Sequence, residues 1–381
     1  MNGLSPTRVL AVLAKEFTQL RRDRLTYAMI LLIPIGQLLL FGYAINDDPH
    51  HLPTAVFVQD QGVFARSALA ALQNTSYFDV DRVAHSTHEL DRMLARGDVQ
   101  FAITIPADFS ERVLRHDNPQ ILVEADATDP SSTGGALAAA AALPASALEH
   151  DLVGAAAPAP NAGGAPFQVI VHRRYNPANI TAYNIVPGLL GVVLSLTLVM
   201  MTALGVTRER ERGTMESLLA TPVRPLEVMI GKLSPYVLVG LIQTAVILTV
   251  AKALFAVPMT ANAAGWTALG LGTVLFITGS LVLGFLISTL ATNQLQAMQM
   301  SFFYMLPSIL LSGFAFPFRG MPGWAQAVGS ALPVTYYLRI VRGALLKDLV
   351  PADLGPNLMA LLLFTCAAGV LAMARYRRTL D

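Results

Sequence analysis

Long apolar runs that carry no charged side chain alternate with short charged segments along most of this chain. Five such runs contain 22, 33, 19, 66 and 21 residues, counted between successive Asp, Glu, Lys or Arg residues. A helix that crosses a bilayer needs about 20 apolar residues, so the longest run can hold two. The pattern predicts six membrane-spanning helices, over about 26–45, 183–206, 233–256, 265–290, 297–317 and 357–375.

The segment 47–182 has a different pattern, in which short β-rich runs alternate with helical ones. Such alternation favours a small α/β domain. The strand candidates are Thr54–Gln59, Tyr77–Val83, Val99–Ile105, Ile121–Glu124 and Phe167–Val171. The helix candidates lie near 62–73, 86–96, 107–115 and 131–152. Gly154–Pro166 is rich in Ala, Pro and Gly, which is typical of a flexible linker or loop.

The composition excludes several classes of protein. The chain is 54% hydrophobic and 13% charged, whereas soluble domains average about 25% charged residues. A soluble globule and a disordered chain are both disfavoured by these values. The net charge of +1 gives no sign of a nucleic-acid partner. Cys366 is the single cysteine, so neither a disulfide framework nor a cysteine-based metal site can form within the chain.

Basic residues near the ends of the predicted spans indicate the topology. They cluster before the first span, in the segment 207–232 and after the last span, which predicts that all three segments and both termini are cytoplasmic. The first apolar run is too long for a signal peptide and is interpreted as a retained span over 26–46. Four basic residues in 319–350 weaken the rule locally.

The chemistry-bearing residues do not form a convincing catalytic or metal site. His50 and His51 lie beside two aspartates, but neighbouring residues of an extended chain point apart, which favours a solvated juncture over a metal site. Asp126 and Asp129 are interpreted as part of a turn and N-cap. Lys252, near the end of the third span, is interpreted as a lysine that reaches the interface. We therefore expect no metal ion and no catalytic residue in this chain.

The chain also lacks a nucleotide site of its own. No GxxxxGK[ST] phosphate loop is present, since Leu226 stands where the first glycine before Gly231 and Lys232 would be. Neither an HExxH nor a GxSxG motif occurs. An ion-coupled carrier normally has ionisable residues within its spans, and spans 2 to 6 have almost none. If ATP drives this protein, another polypeptide must bind it.

The segment 207–232 carries an apolar stripe on a short predicted helix. Met215, Leu218 and Leu219 follow the spacing i, i+3 and i+4, between Gly213 and Pro222. An apolar stripe on a cytoplasmic helix can dock into a groove of a partner or pack on the spans of its own chain. The residue pattern alone leaves both interpretations open.

Three motifs resemble those of type-2 ABC exporter permeases. The first is Glu209–Lys232, which reads ERERGTMESLLATPVRPLEVMIGK, and the second is Leu311–Trp324, which reads LSGFAFPFRGMPGW. The third, weaker motif is Leu10–Leu25, which resembles the amphipathic interface helix of that family. The large segment between the first two spans is similar to the branch with a big extracytoplasmic domain.

The resemblance implies a polytopic α-helical membrane protein with six transmembrane helices and an inserted α/β extracytoplasmic domain. The implied divisions are an interface helix over 1–25, a first span over 26–46, the α/β domain over 47–182, and five helices over 183–381. It implies a coupling loop over 207–232, whose residues toward the ATP-binding subunit are Glu209, Glu211, Gly213, Thr214, Met215, Glu216, Leu218, Leu219 and Pro222. It further implies a re-entrant segment over 313–345, with Gly313, Pro317, Met321, Pro322, Trp324, Pro333, Tyr336 and Arg342 near the exit.

These features predict a permease subunit of an ATP-driven exporter for a hydrophobic or amphipathic substrate, located in the bacterial inner membrane. A separate ABC ATP-binding subunit would bind ATP and Mg²⁺, and two permeases would pair as a homodimer or heterodimer in contact with membrane lipid. Whether a periplasmic adaptor joins them stays open. Candidate pathway residues are Asn293, Gln296, Gln299, Phe302 and Phe303, although the polar ones could equally bond helices together. The alternative is a non-transporting scaffold or sensor coupled to an ATPase.

Overall fold

The computed structural model describes residues 49–128, 130–152, 165–178, 180–211, 225–259, 262–347, 349 and 351–378. The predicted interface helix over 1–25, the predicted first span over 26–46 and most of the predicted linker lie outside these residues. The same holds for the stretch 212–224 of the predicted coupling loop.

The first half of the described chain, residues 49–178, alternates strands with helices and is called the α/β region below. Its strands are β1 Leu52–Val58, β2 Phe78–Val83, β3 Phe101–Ile105, β4 Gln120–Asp126 and β5 Gln168–Arg174. Its helices are α1 Val63–Asn74, α2 Thr87–Arg96, α3 Phe109–Leu114 and α4 Pro130–Ala142. Each strand and helix lies at a predicted position. The helix predicted over 131–152 is shorter because Pro144 lies in a 3₁₀ turn over Leu143–Ala145.

The five strands form one mixed sheet in the order β2-β1-β3-β4-β5. Strand β1 pairs parallel with β2 and β3, β3 pairs antiparallel with β4, and β4 pairs parallel with β5. Side chains alternate between the two faces of a strand. Accordingly, Phe101 and Ile103 belong to a core with Phe109 and Phe167, whereas Ala102 belongs to a smaller core with Leu90 of α2.

Helix α2 has a clear start and a clear end in the sequence. The Ser86 hydroxyl accepts a hydrogen bond from the Glu89 backbone N–H (3.1 Å), and a Glu89 carboxylate oxygen accepts one from the His85 N–H (2.9 Å). These bonds satisfy amides at the first turn. Gly97 ends the helix in the left-handed conformation, with φ of 73°. The Gly97 and Asp98 carbonyl groups after this end take part in the junction described below.

The second half consists of long apolar helices. They are α5 Thr181–Glu211, α6 Pro225–Phe255, α7 Ala263–Leu290, α8 Gln294–Leu311, α9 Gly323–Ser330, α10 Pro333–Leu346 and α11 Pro351–Arg378. Within the described ranges, four helices are long and apolar enough to cross a membrane, over Ala182–Glu211, Pro235–Phe255, Ala263–Leu290 and Ala352–Arg375. The chain is thus mostly helical and consistent with a polytopic membrane protein. The count of six spans stays a prediction.

Helix α7 is the centre of this bundle. It contacts α5, α6, α8, α10 and α11. Its N-cap is Asn262, whose side-chain oxygen accepts a hydrogen bond from the Gly265 N–H (2.8 Å). At Gly284 the approach of α5 is so close that a Cβ atom would lie 2.5 Å from the Val199 carbonyl oxygen. Small residues that let helix backbones meet are typical of membrane helix packing.

Helix α10 is too short to cross a bilayer, yet it is buried among longer helices. Its 14 residues span about 21 Å, against about 30 Å of hydrocarbon. Eleven of them are buried. Tyr337 stacks on Phe276 of α7 with ring centroids 4.2 Å apart, and its hydroxyl lies 2.9 Å from the Thr273 Oγ1 atom. Its phenol group is therefore satisfied inside the apolar core.

Helix α8 ends earlier than the fifth predicted span, which was expected to reach residue 317. It ends at Leu311, and Gly313 follows in the left-handed conformation with φ of 86°. Only glycine adopts that conformation without steric cost. The chain then turns through a 3₁₀ segment, Phe318–Gly320, into α9.

A side chain added at Gly284, where α5 and α7 approach closely, should destabilise the bundle. We expect Gly284→Ala to lower the free energy of unfolding by about 1–3 kcal/mol, because the new methyl group would overlap Val199 and Thr202 of α5. Thermal unfolding of the detergent-solubilised protein measures this as a lower melting temperature. Gly270→Ala in the same helix is the matched control, since nothing lies within 4 Å of its Cβ position. Equal melting temperatures for both variants would contradict the packing described.

Candidate functional site

One polar cluster joins the end of α5 to the start of α8 and is called the α5–α8 cluster. The Glu211 carboxylate accepts hydrogen bonds from the Gln294 backbone N–H (2.7 Å) and from the Gln294 side-chain amide (2.5 Å). The Arg208 guanidinium donates to the Gln294 side-chain oxygen (3.3 Å), and Arg210 donates to the Ala291 carbonyl (3.4 Å). The helix that leads into the segment 207–232 therefore holds the turn between α7 and α8.

The predicted pathway residues all lie on or just before α8. Asn293 is the N-cap, and its side chain accepts a hydrogen bond from the Gln296 N–H (2.8 Å). Gln296 is buried, and its side-chain oxygen accepts two hydrogen bonds from Thr292 (2.7 and 2.9 Å). Phe302 and Phe303 are exposed and Gln299 is half-buried. The structure thus groups Asn293 and Gln296 in a helix cap and leaves the two phenylalanines on an open face.

The predicted re-entrant residues form the turns and short helices that follow α8. Pro317 precedes the 3₁₀ turn, Met321 and Pro322 lead into α9, Trp324 lies in the first turn of α9, and Pro333 begins α10. Arg342 of α10 donates to the Gly313 carbonyl (3.0 Å). The Tyr336 hydroxyl donates to the Ser330 carbonyl (2.7 Å). Hydrogen bonds to backbone carbonyls therefore fix this broken stretch of chain.

A second polar cluster joins this segment to the α/β region and is called the polar junction. The Lys347 ammonium lies 2.5 Å from an Asp126 oxygen, and both side chains are about 10% exposed. Arg96 pairs with Asp353 at 2.7 Å. Arg319 donates to the Asp98 carbonyl (3.1 Å) and also to the Gly97 carbonyl. Three basic side chains thus connect the sheet and α2 to the helical half.

An aromatic ring borders the Lys347–Asp126 pair. The Lys347 ammonium lies 5.2 Å from the centre of the Tyr175 ring, within the range of a cation–π interaction. Burial raises the pKa of the Tyr175 phenol, and the negative charge of Asp126 raises it further. Tyr175 therefore stays neutral at physiological pH and contributes an aromatic face to the pair.

Comparison with known proteins identifies the family. The family model described as "ABC-2 family transporter protein" matches residues 24–374. The chain belongs to the ABC-2 transporter family. A permease domain of this family agrees with the long apolar helices of the chain. The family also implies a partner subunit that binds ATP.

Three relatives of this ABC-2 chain are named as permeases. It is 29% identical to "Probable multidrug ABC transporter permease YbhS" of Escherichia coli K12, over 99% of both chains. It is 27% identical to "Probable multidrug ABC transporter permease YbhR" of the same organism, over 97% of this chain and 98% of that one. "Inner membrane transport permease YhhJ" is 25% identical over 86% of each. No solved structure matches the chain.

The structure describes only two of the residues expected to contact the ATP-binding subunit. Glu209 and Glu211 lie in the last turn of α5. The others, Gly213, Thr214, Met215, Glu216, Leu218, Leu219 and Pro222, lie outside the described residues. Glu211 contacts α8 through Gln294.

The sequence did not reveal the polar junction. Asp126 reads as a turn residue, and it does accept hydrogen bonds from Thr128 (2.8 and 3.2 Å). Its ion pair joins residues 221 positions apart, and Arg96 and Asp353 are 257 positions apart. No local spacing encodes such pairs. The one available signal was an excess of basic residues in 319–350, where an outer segment was expected to have few.

The histidine candidates show other interactions. The His50 ring stacks on Tyr77 with centroids 4.3 Å apart. His172, which was not a candidate, lies 3.2 Å from a Glu124 oxygen on the neighbouring strand. In the part of the chain that the structure describes, no group of three or more His, Cys, Asp or Glu side chains could hold a metal ion.

Breaking the buried ion pair should cost stability. We expect Lys347→Met to lower the free energy of unfolding by about 3–5 kcal/mol, because Asp126 would stay charged without its partner. The double variant Lys347→Met, Asp126→Asn should recover part of this loss. Thermal unfolding followed by intrinsic fluorescence measures both.

The control for this prediction breaks an exposed pair. Arg115→Gln removes the partner of Glu111, both more than half exposed, and surface pairs contribute about 1 kcal/mol or less. A Lys347→Met melting temperature equal to that of Arg115→Gln would show that the junction pair contributes no more than a surface contact.

Proposed function

We propose that this chain is the membrane-spanning subunit of an ATP-driven exporter that moves a hydrophobic or amphipathic substrate out of the cytoplasm or the inner leaflet. Membership of the ABC-2 family supports the permease role. To this permease role the proposal adds a direction of transport, a substrate class and a separate subunit that binds ATP and Mg²⁺. The names of the relatives, which call them multidrug permeases, agree with the substrate class.

The observation that carries the proposal is the α5–α8 cluster. Helix α5 leads directly into the segment expected to meet the ATP-binding subunit. Its last residue, Glu211, holds Gln294 at the first residue of α8 through two hydrogen bonds to a carboxylate. Hydrogen bonds to a charged acceptor are about twice as strong as neutral ones. A displacement of the coupling loop would therefore move α8 along with α5, which is what a driven conformational change requires.

The second support is the open face of α8. Leu295, Phe302 and Phe303 are exposed on this helix, while its other side packs on α5. A lone exposed apolar residue needs no explanation, but a continuous face marks a lipid, ligand or partner surface. We propose that this face contributes to the pathway formed with a second permease, and that apolar walls select apolar or amphipathic cargo.

The topology follows from the same proposal. The α5–α8 cluster and both termini lie on the cytoplasmic side of the inner membrane, and the α/β region lies outside it. Six spans satisfy this arrangement, with the first at 26–46. The segment 313–345 enters the outer leaflet from the far side, which agrees with a buried helix α10 that is too short to cross.

The test of the proposal is reconstitution of the chain with its ATP-binding subunit in vesicles. ATP-dependent movement of ethidium, used as an amphipathic probe, is expected only when both subunits are present. Hydrolysis of nucleotide by the purified chain alone would overturn the proposal. So would labelling that finds residues 208–220 exposed outside intact cells. Nucleotide hydrolysis stimulated by the chain without any movement of probe would favour a sensor or scaffold instead.

The apolar stripe of the coupling loop should be needed for assembly. We expect Leu218→Asp together with Leu219→Asp to abolish co-purification of the ATP-binding subunit, because charged side chains cannot enter an apolar groove without a partner. Pull-down of the tagged chain measures this. Leu295→Asp, at an exposed position of α8, is the control and should retain the subunit. Retention by the double variant would show that the stripe packs elsewhere.

The α5–α8 cluster should be needed for transport but not for assembly. We expect Glu211→Ala to leave the ATP-binding subunit bound while the amount of probe moved per ATP hydrolysed falls about fivefold or more, the size of a typical coupling between sites. Glu149→Ala, an exposed acid of the α/β region, is the control and should transport normally. Unchanged transport by Glu211→Ala would show that the contact transmits nothing.

A further inference from the structure

A cavity of about 720 Å³ lies between the α/β region and the segment that follows α8. Its walls include the end of α2, the 3₁₀ turn at Phe318–Gly320, α10 and the start of α11. The charged side chains that line it are Arg96, Asp98, Asp126, Arg319, Arg339, Arg342, Lys347 and Asp353. Gly313, Pro317 and Arg342 of the predicted exit segment also line it, but no expectation drawn from the sequence assigns a ligand to this space.

The charges around the cavity do not balance. Five lining residues are basic and three are acidic. Two of the acids are occupied, since Asp126 pairs with Lys347 and Asp353 pairs with Arg96. Among the other described lining residues, Arg319 and Arg339 stand against one remaining carboxylate, that of Asp98. The wall is therefore positive.

Two of the arginines are held in place by neutral groups. Arg319 donates hydrogen bonds to the backbone carbonyls of Gly97 and Asp98. The Arg339 guanidinium lies 4.9 Å from the centre of the Phe318 ring and 5.7 Å from that of Tyr336. Such contacts fix the direction of a guanidinium without neutralising it. Among the described residues, neither arginine forms an ion pair with a carboxylate.

The two arginines are also close enough to repel each other. Burial lowers the pKa of the Arg319 guanidinium, and the positive charge of Arg339 lowers it next. An anion placed between them would relieve this repulsion. A guanidinium fork matches the oxygens of a phosphate group, with which it can form two parallel hydrogen bonds.

An apolar face lies on the same short helix that contributes to the cavity. Gln326 of α9 lines the cavity, whereas Trp324 and Val328 of α9 are exposed. Ala325 and Gly329 of this helix are buried. Gln326 is two residues from both Trp324 and Val328, so the cavity lies on one side of this short helix and the apolar face on the other. A ligand with a charged head in the cavity would pass its acyl chain around the helix, about 10 Å across, to reach Trp324 and Val328. This combination points to an amphiphile.

We propose that the cavity is a binding site for a phosphate-bearing anion, with Arg319 and Arg339 as its ligands and the exposed far side of α9, at Trp324 and Val328, as the surface for an acyl chain. The lipid headgroup and the free phosphate ion share this chemistry, and the test below separates them. Only the location of this site at the outer face of the membrane depends on the proposed function. Its occupant would be lipid or cargo held where the segment 313–345 meets the α/β region.

The test measures binding through Trp324. The chain contains two tryptophans, so Trp266→Phe leaves Trp324 as the single fluorophore. The protein is placed in phosphatidylcholine nanodiscs that contain increasing amounts of brominated phosphatidylglycerol, or of brominated phosphatidylcholine in a parallel series. Inorganic phosphate is then titrated into each. No ATP and no ATP-binding subunit are present, so failure of this test leaves the transport proposal untouched, and loss of transport leaves this result untouched.

We expect brominated phosphatidylglycerol to quench Trp324 at a lower mole fraction than brominated phosphatidylcholine does. Arg339→Gln should weaken this preference by on the order of tenfold, the loss of a charge-assisted hydrogen bond. Arg319→Gln with Arg339→Gln should abolish it. Arg339→Lys should restore part of it. Arg173→Gln, an exposed arginine of β5 outside the cavity lining, should leave it unchanged.

Each outcome decides the proposal. Preference for phosphatidylglycerol that phosphate does not reduce identifies a lipid headgroup as the ligand, and preference that phosphate removes shows that the free ion also enters. Equal quenching by both lipids, with no effect of phosphate, overturns the site. A preference that survives Arg339→Gln and the double variant also overturns it, because general attraction to the membrane surface would then explain the quenching. Since Arg319 also holds the polar junction, the single Arg339→Gln variant tests the site without breaking that contact.

Discussion

Close backbone contact around α7 is the constraint on which the helical half depends. Lipid is as apolar as a leucine side chain, so helices in a bilayer gain nothing from hiding apolar surface against each other. They are held by packing, and α7 contacts α5, α6, α8, α10 and α11. The approach at Gly284 brings α5 against α7. Helix α10, too short to span, keeps its place because Tyr337 fits against Phe276 and Thr273 of this central helix.

Much of the fold could be predicted because each of its elements obeys a local rule. Charge-free runs marked α5, α6, α7 and α11, and short β-rich runs between helical ones marked the strands of the sheet. The errors lie where one residue ends an element early: Pro144 shortened the helix predicted over 131–152, and Gly313 comes just after the early end of α8 at Leu311. The order of the strands, β2-β1-β3-β4-β5, follows from contacts between distant residues, which no local pattern contains.

Candidate site residues could be named from the sequence only where a motif was continuous. Glu209 and Glu211 stand in such a motif, and so does the stretch from Gly313 to Trp324. That Glu211 holds Gln294 could not be foreseen, since 83 positions separate them. The same applies to Lys347 with Asp126, which joins a helix of the apolar half to a strand of the sheet. Pairing across such distances is decided by the packed fold, and a periodic pattern carries no information about it.

Helix α5 runs over 31 residues, with Pro187 near its start, and is about 46 Å long at the usual rise of an α-helix. One end holds Gln294, and near the other a Cβ atom at Gly188 would lie 2.4 Å from the ring of Phe314. A tilt of about 5° around its middle would shift the two ends by about 2 Å in opposite directions. If α5 tilts as one body, a displacement at one of its ends therefore moves the other end in the opposite direction.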